Sequence, residues 1–409
     1  TSHVQLDRQE ELTVAAAQSY IDPTKLNTFG GLNNVADPMR AGWEFQSVAD
    51  NVNGTDSNGM ELREGYQAFL STTNVTGSYS TTDYSRMFIV DNGSLKRVHA
   101  DGTALTLYSG LSGTPHWTEM NDVVYLSCGT AKLQIELDNE VREWGVPIPA
   151  DPAVTATTGN LFGGLYQVCL TYTDSHGREG GPSVPIEITL LDASGITVSS
   201  IPQVAGYISN LYVTDMDGTV FYRADMPTGV TAHTLTWPAS GRELTLGGVD
   251  PPPVNGEYLA VFRSSIYMSE YMPAADQTIV WFSLPLGYHL FNMSADYFLV
   301  PGEVTQLHGS ETALVVTTQT RVYLYDGAKL AQAAEYGTVS GQHADLGADG
   351  RIYFWTKRGL CRAAPFENLT EARISIAPGG QAGGKIMERN GYRKYVAVIR
   401  SGGDAFNNR

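Results

Sequence analysis

MFIVDNGSLKRV (Met87–Val98) consists of two short strands of alternating apolar residues joined by the tight polar turn Asp91-Asn92-Gly93, the pattern of a β-hairpin. Four further stretches repeat it: VVYLSCGTAKLQIEL from Val123, LAVFRSSIYMSEY from Leu259, ALVVTTQTRVYLY from Ala313 and IYFWTKRGLCRAA from Ile352. The first two start 36 residues apart and the last two 39 apart, close to the roughly 40–50 residues that one four-stranded propeller blade consumes. The third precedes the fourth by 54 residues, which predicts an extra loop in that blade near Tyr288–Tyr297.

Between Val123 and Leu259 lie 136 residues, one blade plus about a hundred, the size of an immunoglobulin-like sandwich. The interval is bracketed by VPIPADP (Val146–Pro152) and by the run Pro251–Pro253, rigid punctuation suited to domain boundaries. Inside it, Tyr166, Val168, Leu170 and Tyr172 alternate onto one face of a strand, Ile186, Ile188 and Leu190 onto a second, and Leu211 and Val213 belong to a later one. Helix-period patterns are confined to Gln9–Tyr20 and Ala328–Glu335.

The expected fold is therefore all-β: a propeller of about six blades with an inserted immunoglobulin/fibronectin III-like sandwich. Residues 1–27 read as an N-terminal arm, 28–147 as the first part of the propeller, 148–253 as the sandwich and 254–409 as the second part of the propeller. A ring of blades must join its ends, and pairing of Tyr66–Ser71 with Tyr392–Ile399 is the expected closure.

Composition agrees, with 43 Gly, 22 Tyr and only 17% charged residues in 409. Cys128, Cys169 and Cys361 are odd in number and lack ligand spacing, as expected of a chain matured in a reducing compartment. The first twenty residues lack the layout of a secretion signal, and no run of apolar residues is long enough to span a bilayer. A soluble, unexported protein is expected. The formal charge of −17 disfavours a fold that grips nucleic-acid phosphates.

Chemical motifs are sparse. The sequence holds no HExxH, nucleophile elbow, P-loop or dinucleotide fingerprint, and GGQAGG (Gly379–Gly384) reads as a flexible loop. His99, His116, His176, His233, His289, His308 and His343 fall in unrelated segments and read as solvated or packed. Arg63, Arg86, Arg142, Arg263 and Arg351 read as surface positions, with no clamp for an acidic sugar. Asp215-Met216-Asp217-Gly218 shares the start of a calcium loop but lacks its bidentate Glu, so a β-turn is the better reading. Tyr267, Tyr271, Trp281, Tyr288, Tyr297 and Phe298 suit a propeller core better than a partner surface. No enzyme, catalytic residue, cofactor or metal is expected.

Two resemblances supply a context. GGLYQVCLTYTDSHGREGGPS followed by YISNLYVTDMDGTVFYRAD resembles the fibronectin III-like modules inserted in phage tail proteins. FGGLNNVADP (Phe29–Pro38), then ADNVNGTDSNGMELREGYQAF (Ala49–Phe69), resembles the opening of phage tail nozzle and head-tail stabilisation proteins, although Asn53 stands where the family often has Asp and only Arg63 remains of a paired Arg. Locally, Gly30 and Gly31 suit a tight turn, Ala49–Val52 an edge strand and Glu64–Tyr66 the end of a hairpin; an extended first blade explains these residues equally.

The nozzle resemblance implies a structural virion protein of the tail, assembled in the host cytoplasm. It would form a ring, taken as a hexamer, below the portal and adaptor, extend the channel through which DNA passes without sequence-specific binding, and dock fibres, spikes or needle proteins. A carbohydrate- or receptor-binding propeller and a tail hub or baseplate component remain the alternative readings.

Overall fold

The computed structural model describes residues 31–37, 45–46, 52–54, 60–62, 68–374, 379–389 and 392–401, and every regular element among them is a strand. The arm of residues 1–27, the helix expected over Gln9–Tyr20 and the segments around Ala49 and Glu64–Tyr66 lie outside the described residues. Near them, Gly31–Leu32 pairs in parallel with Phe45–Gln46, and Val52–Gly54 pairs antiparallel with Met60–Leu62.

All five hairpins form, four of them within antiparallel four-stranded sheets and the one from Leu259 within a five-stranded sheet. The first blade runs from Val75 to Ser109 and the second from Pro115 to Glu143; the third runs from Leu259 to Pro301, the fourth from Val304 to Ala334 and the fifth from Asp345 to Asn368. Asn92 and Gly93 adopt φ of 48° and 72°, which matches the twist of the strands they join. The anomalous spacing has two sources. The hairpin from Leu259 supplies the first two strands of its blade where the others supply the second and third, and an extra strand, Gly287–Phe291, branches off inside the predicted loop.

Side chains between neighbouring sheets form the core. Trp117 sits between the first two blades, stacked 5.7 Å from Tyr79 and 6.3 Å from Phe88. Tyr267 and Phe298 join Phe262 and Tyr325 between the third and fourth blades, the core reading expected for them, whereas Tyr297 remains largely exposed. A triangle of buried hydroxyls, Thr305, Thr317 and Thr338, links the fourth blade to the fifth with separations of 3.2, 2.7 and 2.6 Å.

Three expectations are corrected. Leu330–Ala334, inside the stretch read as helical, is the outermost strand of the fourth blade, because pairing with Val322–Tyr325 outweighs the helix propensity of its alanines. GGQAGG is not a loop but the start of an eleven-residue strand, Gly379–Arg389, paired with Tyr392–Ser401; a Cβ on Gly384 would overlap the Tyr395 hydroxyl, so its glycine is a packing requirement. Of the expected closure, Tyr66 and Gln67 lie outside the described residues; Ala68–Ser71 is irregular, and among the described residues Tyr392–Ser401 pairs with its own hairpin partner.

This terminal hairpin occupies the sixth position of the ring. On one side, Ala382 and Gly384 N–H groups donate to Ser340 and Gln342 carbonyls, and the Tyr395 hydroxyl donates to the His343 carbonyl at 2.6 Å. On the other side, Lys385 Nζ donates to Ser80 O at 2.7 Å and the Tyr84 hydroxyl to Ile386 O at 2.9 Å.

His343 lies under the hairpin with 0% of its surface exposed. Its Nδ1 accepts from Trp355 N–H at 3.1 Å, so the proton sits on Nε2, which donates to Val339 O at 2.9 Å. Burial pushes its pKa down to about 4, and burial does the same to His116. Between the ordinary value of 6.5 and about 4 the unfolded chain binds protons that these folded histidines refuse. Stability is therefore complete above the upper limit and falls as acid is added, by up to about 3 kcal/mol for each group. Urea midpoints of wild type and His343→Gln measured across this window test the assignment. The variant is expected to lose about one proton's worth of slope, and an unchanged slope would mean that folded His343 titrates normally.

Candidate functional site at the sandwich junction and the axial channel

Between the second and third blades the chain builds two facing sheets. One has the order Ala153–Leu161, Ser194–Ser199, Ala232–Leu235; the other has Ile186–Leu190, Gly164–Asp174, Tyr207–Thr214, Phe221–Arg223. Tyr166, Val168, Leu170, Leu211 and Val213 fill the space between them, on the faces their alternation predicts.

The two proline-marked stretches meet at the root of this sandwich, where Gly145 packs against Pro251 and Pro252 so closely that a Cβ would collide. Trp144, fully buried, lies 4.9 Å from Tyr125 of the second blade and 6.1 Å from Phe291 of the third, and its Nε1 donates to Tyr288 O at 2.8 Å. Gly180 and Gly181 leave no room for a side chain against Val146 and the Val249 carbonyl.

Arg178 locks the joint. Its Nε donates to Asp174 at 2.7 Å within the sandwich, while Nη1 reaches Gln134 Oε1 at 2.6 Å and Trp144 O at 3.0 Å, and Nη2 reaches Glu143 O at 3.1 Å. A planar guanidinium can serve four acceptors in a fixed fork, which an ammonium cannot. The neighbouring Glu179 is buried and accepts from Thr171 Oγ1, Asn210 Nδ2, the Tyr212 hydroxyl and Arg242 Nη2. Beside them opens a cavity of about 310 Å³ that also touches His289, whose pKa is lowered by burial and then by Arg178.

A second cavity, about 450 Å³, follows the propeller axis and is walled by the innermost strands and the terminal hairpin. That size suits a small molecule and excludes a nucleic-acid duplex. Its charges are engaged: Glu119 accepts from Thr82 N at 2.8 Å and the Tyr79 hydroxyl at 3.4 Å, and Asp345 accepts from Ile386 N at 2.7 Å. Lys385 has its pKa lowered by burial, with Asp345 and Glu119 opposing.

Burial holds the thiols protonated, pushing Cys169 up to about 12 and Cys361 up to about 11 and raising Cys128, so none is an activated nucleophile. Asp215–Gly218 forms the expected turn, with Gly218 N–H donating to Asp215 O at 3.0 Å and Leu165 N–H to Asp217 Oδ1 at 2.9 Å. Among the described residues, no cluster of three His, Cys, Asp or Glu side chains is arranged to hold a metal.

The surface reading of the arginines needs correction. Arg86 is buried, donating to Glu136 O at 3.0 Å and Asp122 O at 2.5 Å from a position over the Phe88 ring. Arg142 is mostly covered and pairs with Glu136 at 2.9 Å, and Arg351 is half-buried; Arg263 is exposed, as expected, with its guanidinium over the Phe262 ring, and Arg63 lies outside the described residues. The Arg178–Glu179 pair was not singled out from sequence. Its one local signal is two adjacent charges followed by Gly180-Gly181 inside an apolar sandwich.

No protein-family model and no curated protein matches this chain. Solved structures similar to parts of it include the extracellular domain of a hybrid two-component system from B. thetaiotaomicron, at 9% identity and TM-score 0.26 over 76% of this chain and 36% of that one. Dipeptidyl peptidase 4 of Porphyromonas gingivalis matches at 8% identity and TM-score 0.28 over 78% and 48% of the respective chains. Citrobacter koseri AztD matches at 11% and 0.26 over 80% and 90%. The chain thus spans about a third to a half of the first two.

Removing the Arg178 fork leaves buried acceptors unmet. Arg178→Ala is expected to lower stability by about 2–4 kcal/mol, and Arg178→Lys to recover less than half of the loss. Urea unfolding of the full chain measures both, and a loss below about 0.5 kcal/mol for the alanine variant would show that the joint does not depend on this residue.

Proposed function

We propose that this chain is a structural virion protein that forms an oligomeric ring in the tail of a tailed phage, extends the DNA ejection channel below the portal and adaptor, and docks fibres or spikes. The observation that carries the reading is the junction. The Arg178 guanidinium, held by Asp174 in the sandwich, bonds Gln134 and the carbonyls of Trp144 and Glu143 and so ties the sandwich to the propeller. Such use of buried charge suits a part that must hold geometry under load.

The resemblance of Phe29–Phe69 to nozzle and head-tail stabilisation proteins supports the same role. The axial cavity is too small for DNA, so the channel in this reading runs between copies of the chain. Its wall would be acidic: six copies carry a formal charge of roughly −100, enough to repel phosphate within a Debye length of about 8 Å.

The mass of the purified protein by light scattering, alone and mixed with its phage's portal-adaptor complex, tests the proposal. A closed ring of about six or twelve copies, free or built on the complex, is the expected result. A monomer that ignores the complex and binds a glycan would overturn it in favour of a receptor-binding propeller.

A further inference from the structure

A third cavity, about 490 Å³, opens toward the other end of the propeller axis. Its walls come from residues that precede, along the chain, those lining the first axial cavity: His116 before Trp117, Tyr258 before Leu259 and Ser340 before Gln342. Its chemistry differs from that cavity's. Ser112, Thr114, Thr130 and Gln381 line it together with glycine backbone, and no leucine, isoleucine, valine or methionine does. Among the described residues Glu257 is the one acidic or basic side chain on the wall besides His116.

His116, Ser127 and Lys132 stand side by side on three paired strands of the second blade, and so share one face. Two of the three are used on the segment that leads into the third blade: Ser127 Oγ donates to Gly256 O at 2.5 Å and Lys132 Nζ to Val254 O at 2.7 Å. His116, at the axial end of the row, has no such carbonyl. It is 5% exposed, its Nδ1 is buried without a partner among the described residues, and the Tyr258 ring lies 4.2 Å away. Ser340 and the Gly341 backbone hold the Tyr258 hydroxyl, which fixes that ring. His343, also buried, satisfies both nitrogens within the fold. An imidazole nitrogen left unmet at a cavity wall lowers stability, and a bound group that donates or accepts there would offset the loss.

The wall selects among ligands. With the Glu257 carboxylate as its one full charge it disfavours phosphates and carboxylates, and its polar lining offers an apolar molecule little gain on leaving water. A small organic cation meets Glu257 but brings no acceptor for the hydroxyl and amide donors. A hydroxyl both donates and accepts, and several of them on one rigid ring match a wall of serine, threonine, amide and imidazole. We infer that this cavity binds a neutral sugar residue, with Glu257 and His116 hydrogen-bonded to its hydroxyls beside the Tyr258 ring. The volume suits a ligand of that size. Burial, and then Lys132, pushes the His116 pKa down to about 4, so at neutral pH the ring keeps one donor and one acceptor. The site belongs to a single chain and does not rest on the ring reading.

Saturation-transfer difference NMR on the full chain, with the common neutral hexoses and N-acetylhexosamines each at about 5 mM, tests the inference. Transfer to at least one of these sugars is expected, with a millimolar or lower Kd on titration. Glu257→Gln and His116→Phe should each weaken that sugar at least about tenfold, while Glu388→Gln, in the wall of the other axial cavity, leaves it unchanged. Thermal melts establish that each variant is folded, and Glu257, being exposed, can be exchanged without disturbing the core. Absence of transfer to every sugar in the panel, undiminished binding by folded Glu257→Gln and His116→Phe, or binding of putrescine in place of the sugars would overturn the site. None of these outcomes bears on the ring reading, which the light-scattering masses decide separately.

Discussion

A propeller blade buries both faces only if it has a neighbour on each side, so the stability of every sheet depends on the ring being closed. Here the last link is the hairpin Gly379–Ser401, which receives no strand from Ala68–Ser71 and joins the fifth blade's side through backbone as well as side-chain hydrogen bonds and the first blade through side chains. Lys385 reaches the Ser80 carbonyl, Tyr84 reaches Ile386, and Tyr395 reaches the carbonyl of His343. A buried ammonium costs several kcal/mol unless its protons are taken up, and the Ser80 carbonyl and the faces of Tyr79 and Tyr84 meet that need. His343 extends the same logic inward: its neutral ring satisfies Trp355 and Val339 only while the hairpin keeps water away.

The second constraint is the joint. A sandwich inserted through two chain crossings would swing freely if only its linkers held it. Close approach at Gly145, Gly180 and Gly181 brings the backbones together, and the Arg178 fork then spans both bodies with hydrogen bonds that a flexible cation could not supply together. Glu179 is tolerated in the interior because four donors converge on it. Rigidity at the joint makes the position of the sandwich tip a property of the fold.

Much of the architecture was legible because propeller hairpins are local. Asn92-Gly93 and the alternation of Tyr166, Val168, Leu170 and Tyr172 carry their structure within a few residues, and spacing then counts the blades. Misreadings occurred where a distant partner decides. Leu330–Ala334 has helical composition and becomes a strand because Val322–Tyr325 offers it an edge. Gly379–Gly384 reads as a loop and becomes a strand because Tyr392–Ser401 lies opposite and Tyr395 needs the space beside Gly384. Arg86 looks like a surface residue, yet its guanidinium finds the carbonyls of Glu136 and Asp122, far along the chain, and is buried by them.

The sequence alone therefore determined the strand content, the hairpin repeat, the place of the inserted sandwich and the faces that form its core, since period and turn chemistry act between near neighbours. Only the tertiary structure decided which hairpin closes the ring, and that Arg86, Arg178 and Lys385 are buried against distant carbonyls. Those features depend on contacts between residues tens to hundreds of positions apart, such as Tyr84 with Ile386 or Trp144 with Tyr288, and no local pattern encodes which distant partner a side chain will meet.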